Sequence, residues 1–112
     1  VEKHPPRAID LERAHADWPG LAALAGDLRR GWPPALRGFH RIELGAGRIV
    51  LTLLFGDAET MLAEVNPGCI DACYLDGFAP EKNPQMWSPA VFAQIARLAR
   101  DDATAATWSV AA

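Results

Sequence analysis

The sequence predicts an α/β fold, in which helices are layered on a mostly parallel sheet. Segments rich in branched apolar residues alternate along the chain with segments whose apolar residues recur at helical spacing. One predicted strand, Ile49–Phe55, is apolar on both of its faces, as expected of a strand that joins a larger sheet. The order of elements is strand end, two helices, hairpin, helix, strand, helix and strand, which favours a layered α/β architecture.

The composition limits the classes of protein that the chain can represent. It has 112 residues and a formal charge of −3, with 50% hydrophobic and 22% charged residues, so intrinsic disorder is a poor description. The length allows one domain with a small core. No apolar run reaches the ~20 residues of a membrane span, and the start lacks the layout of a secretory signal. We therefore expect a cytoplasmic domain without a membrane partner.

The first third of the chain predicts two helices after a strand end. The first three residues are interpreted as the end of a strand that begins upstream of this sequence. Pro5-Pro6 is expected to open a helix, because proline is tolerated where a helix starts. Apolar spacing carries this helix to His15, and Trp18, which precedes a proline, closes it. A second helix is predicted over Gly20–Arg30, before the breaking sequence Gly31-Trp32-Pro33-Pro34.

The rest of the chain predicts a hairpin and then alternating helices and strands. A half-buried strand over Phe39–Leu44 turns at Gly45-Ala46-Gly47 into Ile49–Phe55, which indicates an antiparallel hairpin. The later predicted elements are a helix over Glu59–Val65, a strand over Ile70–Leu75, a helix from Ser88-Pro89 to about Ala99, and a strand over Ala103–Val110. The residues expected to face inward from the last helix are Val91, Phe92, Ile95 and Leu98.

The cysteines and histidines do not predict a metal site. Cys69 and Cys73 lie four residues apart, which in a strand separates them by roughly 13 Å, too far for a disulfide. The three histidines are scattered along the chain, whereas a zinc site usually needs four clustered ligands. We expect two buried, reduced thiols and no metal.

Three carboxylates follow predicted strands, where an open α/β sheet places the groups that face its ligand. Glu2 is positioned to accept hydrogen bonds from both hydroxyls of a ribose, or it is an exposed glutamate near a terminus. Asp57 is positioned to bind an adenine amino group, or it caps the helix that follows. Asp76 ends the strand Ile70–Leu75. No glycine-rich phosphate loop of the G-x-G-x-x-G type is present.

The segment Tyr74–Trp87 concentrates polar and aromatic residues in one loop. Gly77 is expected to let the backbone turn where a side chain would clash. Phe78 and Trp87 offer flat faces on which a base can stack, and two prolines stiffen the loop between them. Since loops on rigid scaffolds carry function disproportionately, we expect this segment to be functional.

This loop, Leu75-Asp76-Gly77-Phe78-Ala79-Pro80-x-Lys82-Asn83-Pro84-x-Met86-Trp87, resembles the signature of the methyltransferase domain in the bifunctional MnmC family of tRNA wobble-uridine enzymes. The similarity extends to Val1-Glu2-Lys3, Ala14-His15-x-x-Trp18-Pro19, Phe55-Gly56-Asp57 and Leu98-Ala99-Arg100, and so covers nearly the whole chain. The resemblance implies a partial Rossmann-like methyltransferase sheet. Residues 1–112 would form the central portion of one domain, without its first strand, glycine-rich loop and closing strands.

The resemblance also implies a reaction and its participants. S-adenosyl-L-methionine is the cofactor, and the substrate is the 5-aminomethyl group of 5-aminomethyl-2-thiouridine at the wobble position in the tRNA anticodon loop. In bifunctional members an FAD-dependent oxidase domain follows. The resemblance assigns cofactor contacts to Glu2, Lys3, Asp57, Asp76, Gly77 and Phe78. It assigns substrate contacts to Phe78, Ala79, Pro80, Lys82, Asn83 and Trp87, with Asp76 as the catalytic residue.

The chemistry suits these residue types. Methyl transfer to an amine depends mainly on positioning, and a carboxylate such as Asp76 can orient the neutral amine and accept its proton. A flipped-out base needs an aromatic face, for which Phe78 and Trp87 are the candidates. The candidates for contacts to backbone phosphates are Arg29, Arg30, Arg37, Arg41 and Lys82. The alternative is a non-catalytic Rossmann-like remnant that serves as an RNA-contacting or docking module.

Overall fold

The computed structural model describes residues 1–77 and 79–107 and has a mixed α/β architecture. The chain forms two compact units, Val1–Asp57 and 58–112. The first unit contains an antiparallel strand pair and the second a parallel pair. This confirms the predicted α/β class with a hairpin. The placement of residues 1–112 within a single methyltransferase domain stays a prediction.

The first unit begins with helix α1 (Ala8–His15), which starts later than the proline pair predicted. The start is fixed by Asp10, whose carboxylate accepts hydrogen bonds from the backbone N, Nε and Nη2 of Arg7 at 3.0, 2.9 and 2.9 Å. These bonds hold the first turn at Arg7, so Pro5 and Pro6 lie before the helix. They also lower the pKa of Asp10 to about 2.

Helix α2 (Ala22–Arg30) follows a short 3₁₀ turn at Pro19–Leu21, where a single helix from Gly20 was predicted. The turn forms because the amide of Leu21 donates to the carbonyl of Trp18 at 2.9 Å, a bond that spans three residues. After α2, Gly31 packs directly on the hairpin. A Cβ at Gly31 would lie 2.7 Å from Cγ2 of Ile42, so only glycine fits this contact.

Strands β1 (Gly38–Leu44) and β2 (Ile49–Phe55) form the predicted antiparallel hairpin, in register from Gly38 opposite Phe55 to Leu44 opposite Ile49. The turn between them has positive φ at each of its three predicted residues, 59°, 57° and 82° in chain order. Phe55 is 2% exposed, and the rings of Trp32 and His40 pack on it at 5.9 and 4.8 Å. The residues at the carboxyl end of β2 are buried, whereas Ile49 at its amino end is 45% exposed.

The second unit contains helix α3 (Ala58–Ala63), strand β3 (Ile70–Leu75), helix α4 (Pro89–Leu98) and strand β4 (Ala99–Thr107). Helix α3 is shorter than the predicted Glu59–Val65. Its end is held by Arg97, which donates to the carbonyls of Leu62 and Val65 at 2.8 and 2.9 Å. Arg97 therefore satisfies carbonyls at the end of α3 and ties α4 to it.

Strand β4 starts four residues earlier than predicted, at Ala99 instead of Ala103, and residues 108–110 of the prediction lie outside the described residues. The pairing with β3 is irregular. Ile70 pairs with Ala99, but Ala72 pairs with Thr104, so the intervening residues of β4 bulge from the ladder. Arg100, within this bulge, bonds to the carboxylate of Asp71 and donates to the carbonyl of Gly68. These contacts keep the segment extended.

Two predictions of burial in the second unit are wrong. Val91 and Leu98 are each 3% exposed, as expected, but Phe92 is 41% exposed. Cys69 is also exposed, because it precedes β3 in a turn where its Sγ donates to the carbonyl of Asn66 at 3.0 Å. Cys73, also predicted to be buried, is only half-buried, and both thiols are free.

The described residues contain neither a membrane-spanning helix nor a cluster of metal ligands. No described helix is long and apolar enough to cross a membrane. Within residues 1–77 and 79–107, no group of three or more His, Cys, Asp or Glu side chains is placed to hold a metal ion.

Candidate cofactor and substrate site

Glu2 lies at the end of a strand, as the sequence predicts. It forms a parallel β-bridge with Phe55. Its amide donates to the carbonyl of Leu54 at 2.9 Å, and its carbonyl accepts from the amide of Gly56 at 2.9 Å. The chain at Glu2 therefore runs beside β2 in the same direction. The carboxyl ends of the two segments, which carry Glu2 and Asp57, lie at one edge of this unit.

The side chain of Glu2 is exposed and accepts a hydrogen bond through Oε1 from the amide of His4 at 2.7 Å. This contact closes a short turn after the strand end and fixes the side chain. An ionised carboxylate offers about four acceptor positions on two oxygens. Glu2 therefore retains capacity for the two donors that a ribose diol presents.

Lys3 and Asp57 form an ion pair across the same edge, with 3.5 Å between Nζ and Oδ2. Their side chains are 51% and 44% exposed, so the pair adds little stability, but it places a cation beside the Asp57 carboxylate. Asp57 directly precedes α3, so its position suits both a helix cap and a contact to an adenine amino group. The structure thus brings together three predicted cofactor residues, Glu2, Lys3 and Asp57.

Asp76 lies directly after β3, with its side chain exposed to solvent. The predicted clash at Gly77 is wrong. A Cβ built there would lie 3.6 Å from both the Cβ of Met86 and Nε1 of Trp87, which is ordinary contact distance, and Gly77 does not have a positive φ. The strand end at Gly77 therefore packs beside the indole of Trp87 without requiring a glycine.

The loop after Gly77 is a series of turns made by neighbouring residues. The carbonyl of Ala79 accepts from the amides of Lys82 and Asn83 at 2.8 and 3.0 Å. Next, the carbonyl of Asn83 accepts from Met86 at 3.2 Å, at the start of a 3₁₀ turn over Pro84–Trp87. Ala79, Pro80 and Asn83 are half-buried, whereas Lys82 is exposed. Phe78 lies outside the described residues.

Trp87 closes this loop, and Ser88 opens α4 by accepting from the amide of Val91 at 3.2 Å. The indole is half-buried, between Gly77 and Phe92, whose ring centroid is 6.3 Å away. Contacts of this kind anchor the loop to the start of α4. The sequence suggested only a stacking face for Trp87, and no pattern in the sequence marked its anchoring role.

The strand edge of the first unit carries the hydrogen-bond acceptors Glu2 and Asp57, and the loop after β3 carries polar and aromatic side chains. The chain matches a family described as S-adenosyl-L-methionine-dependent methyltransferase over residues 19–112. Acceptors such as Glu2 and Asp57 fit this cofactor, because its ribose hydroxyls and its adenine amino group are hydrogen-bond donors.

Curated relatives carry the same region. The chain is 53% identical over its whole length to the tRNA 5-methylaminomethyl-2-thiouridine biosynthesis bifunctional protein MnmC of Thiobacillus denitrificans, of which it covers 18%. It is 52% identical over 98% of its length to the protein of that name in Aromatoleum aromaticum, and 50% identical over 99% to that of Ralstonia nicotianae, covering 17% of each. The chain therefore spans about a sixth of the length of these relatives, and it belongs to the family of S-adenosyl-L-methionine-dependent methyltransferases.

Proposed function

We propose that this chain forms part of an enzyme that methylates the 5-aminomethyl group of 5-aminomethyl-2-thiouridine at the wobble position of tRNA, in the cytoplasm. Support comes from the match to the methyltransferase family and from relatives whose names specify the biosynthesis of 5-methylaminomethyl-2-thiouridine, the nucleoside that this methylation would produce. Those names also describe a bifunctional protein, and we assign the second activity to an FAD-dependent oxidase domain outside this chain.

In this proposal the cofactor binds at the edge that carries Glu2 and Asp57. When bound, S-adenosyl-L-methionine supplies an activated methyl group on its sulfonium sulfur. Glu2 accepts hydrogen bonds from the ribose hydroxyls, Asp57 accepts one from the adenine amino group, and Lys3 orients Asp57 through their ion pair. Because backbone bonds on both sides fix Glu2, its carboxylate needs little ordering before it binds.

Asp76 acts on the substrate amine. A primary amine attacks only in its neutral form, so a carboxylate that accepts a hydrogen bond from it orients the lone pair for in-line attack. Asp76 then receives the proton that the amine loses, directly or through a water molecule. Its exposure after β3 leaves it accessible to a nucleoside that arrives from solvent.

The loop after Asp76 shapes the substrate side of the site. Lys82 is exposed and is suited to a phosphate, while Asn83 is held by the bond of its amide to the Ala79 carbonyl. Trp87 anchors the loop through Gly77 and Phe92. Phe78 is the second candidate for stacking on the extruded base.

The observation that carries the proposal is the parallel bridge between Glu2 and Phe55, which aligns Glu2 with Asp57 at one edge. The test is a calorimetric titration of S-adenosyl-L-methionine into the full-length protein and its Glu2→Ala and Glu2→Gln variants. We expect Glu2→Ala to weaken binding by about 1–3 kcal/mol, because ribose donors lose a charged acceptor. Glu2→Gln keeps an oxygen for the His4 amide, and we expect an intermediate loss.

Glu12→Ala is the matched control, because Glu12 is an exposed glutamate on α1 with no assigned role. Equal affinities in the wild-type and Glu2→Ala proteins would contradict the ribose assignment. A wild-type protein that binds no cofactor would instead favour the alternative, a non-catalytic Rossmann-like remnant that contacts RNA.

A further inference from the structure

The region from the end of α2 to the middle of β1 is strongly basic. Residues 28–42 contain four arginines and no aspartate or glutamate, although the chain as a whole carries a charge of −3. The arginines are Arg29, Arg30, Arg37 and Arg41. The segment therefore carries a net positive charge, although Arg30 pairs with Asp27 just before it, and local positive charge is the feature by which proteins bind phosphate backbones.

Strand β1 divides its side chains between two faces. Ile42 and Leu44 are 6% exposed and belong to the core. Phe39 and Arg41 alternate with these residues and are exposed, Phe39 at 46% and the side chain of Arg41 at 64%. Arg37, directly before the strand, is also exposed. We call these exposed side chains, Arg37, Phe39 and Arg41, the arginine–phenylalanine row.

The backbone that carries the row is fixed from the opposite face. The Nε2–H of His40 donates to the carbonyl of Leu36 at 2.7 Å, and the ring of His40 packs on Phe55. The amide of Leu36 donates to the carbonyl of Pro34 at 2.7 Å, and Gly38 is paired with Phe55. Arg37 thus lies between two fixed residues, so a ligand does not have to order its backbone.

The carboxylates of the protein compete only weakly with a ligand for the positive charges of the arginine–phenylalanine row. Arg41 approaches Glu43 at 3.8 Å, but both side chains are more than 60% exposed, and such pairs contribute little. Within residues 1–77 and 79–107, no carboxylate forms an ion pair with Arg37. An exposed aromatic ring between two cations is the combination by which proteins bind single-stranded nucleic acid, through stacking and phosphate contacts.

We propose that the arginine–phenylalanine row binds a single-stranded segment of the RNA substrate, with Arg37 and Arg41 on phosphates and a base stacked on Phe39. This inference rests on the proposed function, because the relatives' names supply RNA as the substrate class. It adds a contact surface separate from the residues assigned to the cofactor and to the reacting nucleoside.

The test measures binding of an unmodified tRNA transcript and of an oligouridine strand to the full-length protein at several salt concentrations. We expect Arg37→Gln/Arg41→Gln to weaken binding about tenfold at low salt and to lower the slope of log K against log salt by about 1.4, from two lost contacts. Phe39→Ala should weaken oligouridine binding about fivefold or more, and Phe39→Tyr should restore it.

Arg48→Gln, which removes one charge outside the row, is the control for Arg41→Gln, which removes one charge within it; Arg48 is exposed at the hairpin turn and donates to the carbonyl of Gly45. Equal effects of Arg48→Gln and Arg41→Gln would overturn the proposal, as would a Phe39→Ala protein with unchanged oligouridine affinity. Cofactor titrations of the same variants should match the wild type. A wild-type protein that binds RNA through the row but binds no cofactor would contradict the proposed function and leave this inference supported.

Discussion

The two compact units position their candidate residues in different ways. In Val1–Asp57, Glu2 is held by backbone bonds to Leu54 and Gly56, which are more than fifty residues away in the sequence. In the second unit, the loop after Asp76 is held by turns between residues three or four apart. The first arrangement depends on the whole unit, whereas the second depends on a short stretch of sequence.

This difference suits the two tasks that we assign. A cofactor with fixed geometry is bound best by groups that are already in place, because little ordering is needed. A large substrate that must be admitted and released is served by a loop built on local turns, since such a loop rearranges without disturbing a sheet. The comparison therefore predicts that substitutions in the first unit affect cofactor affinity through the fold, and that those in the loop affect turnover.

The largest effect is expected from Asp76→Asn. The substitution removes the group that orients the amine and accepts its proton, so the rate of methyl transfer should fall about 10²–10⁴-fold. The unfolding transition should stay in place, because the carboxylate is exposed. The measurement is single-turnover methyl transfer from labelled cofactor to unmethylated tRNA by the full-length protein.

Asp101→Asn is the control for Asp76→Asn, since Asp101 is an exposed aspartate on β4 with no assigned role. A rate for Asp76→Asn equal to that of this control would remove Asp76 from the reaction. The two units would then differ only in how their folds are stabilised, and not in the tasks assigned to them.

The next largest effect is expected from Phe55→Ala, which tests the first unit. Phe55 is 2% exposed and carries both the Trp32 and His40 rings and the bridge to Glu2. Its truncation should lower the free energy of unfolding by about 3–5 kcal/mol, measured by urea denaturation. The protein that remains folded should also bind cofactor more weakly, because loss of the ring loosens the packing of the β2 segment whose backbone bonds hold Glu2.

Leu98→Ala provides the comparison in the second unit. Leu98 is 3% exposed, and its carbonyl accepts from Cys69 at the amino end of β3, away from the strand end that carries Asp76. It should lower stability by about 2–5 kcal/mol without a matching loss of cofactor affinity in folded protein. Equal losses of affinity in both variants would show that cofactor binding follows overall stability and would break the comparison.

Some parts of this structure that depend on neighbouring residues were predictable. The hairpin follows from its alternating pattern and its glycine turn, and the start of α4 follows from Ser88 and its proline. The bounds of β4 were not predictable, because Arg100 keeps its segment extended through contacts to Gly68 and Asp71, some thirty residues away. Periodicity within a window carries no information on such contacts.

The candidate site was likewise predictable from the sequence only in part. Carboxylates after strands were identified because sheet topology places strand ends together. The groups that fix Glu2 are backbone amides and carbonyls of Leu54 and Gly56, which no side-chain pattern marks. The anchoring role of Trp87 was missed because the sequence does not show that its indole packs against Gly77.

The smallest effect is expected from Gly77→Ala, which tests whether Gly77 serves tight packing of the loop or access to the reacting nucleoside. A Cβ would lie 3.6 Å from Met86 and Trp87, and the φ of Gly77 suits any residue. The alanine should therefore be tolerated, with stability unchanged or raised by about 0.4–1 kcal/mol through a less flexible unfolded chain. Urea denaturation measures the change. Gly31→Ala, whose Cβ would lie 2.7 Å from Ile42, should be clearly destabilising in the same measurement.

If Gly77→Ala keeps its stability but loses methyl transfer, the glycine serves access to the reacting nucleoside. A large loss of stability would instead mean that the loop packs on Gly77 as tightly as β1 packs on Gly31, and the contrast between a rigid first unit and an adaptable loop would fail.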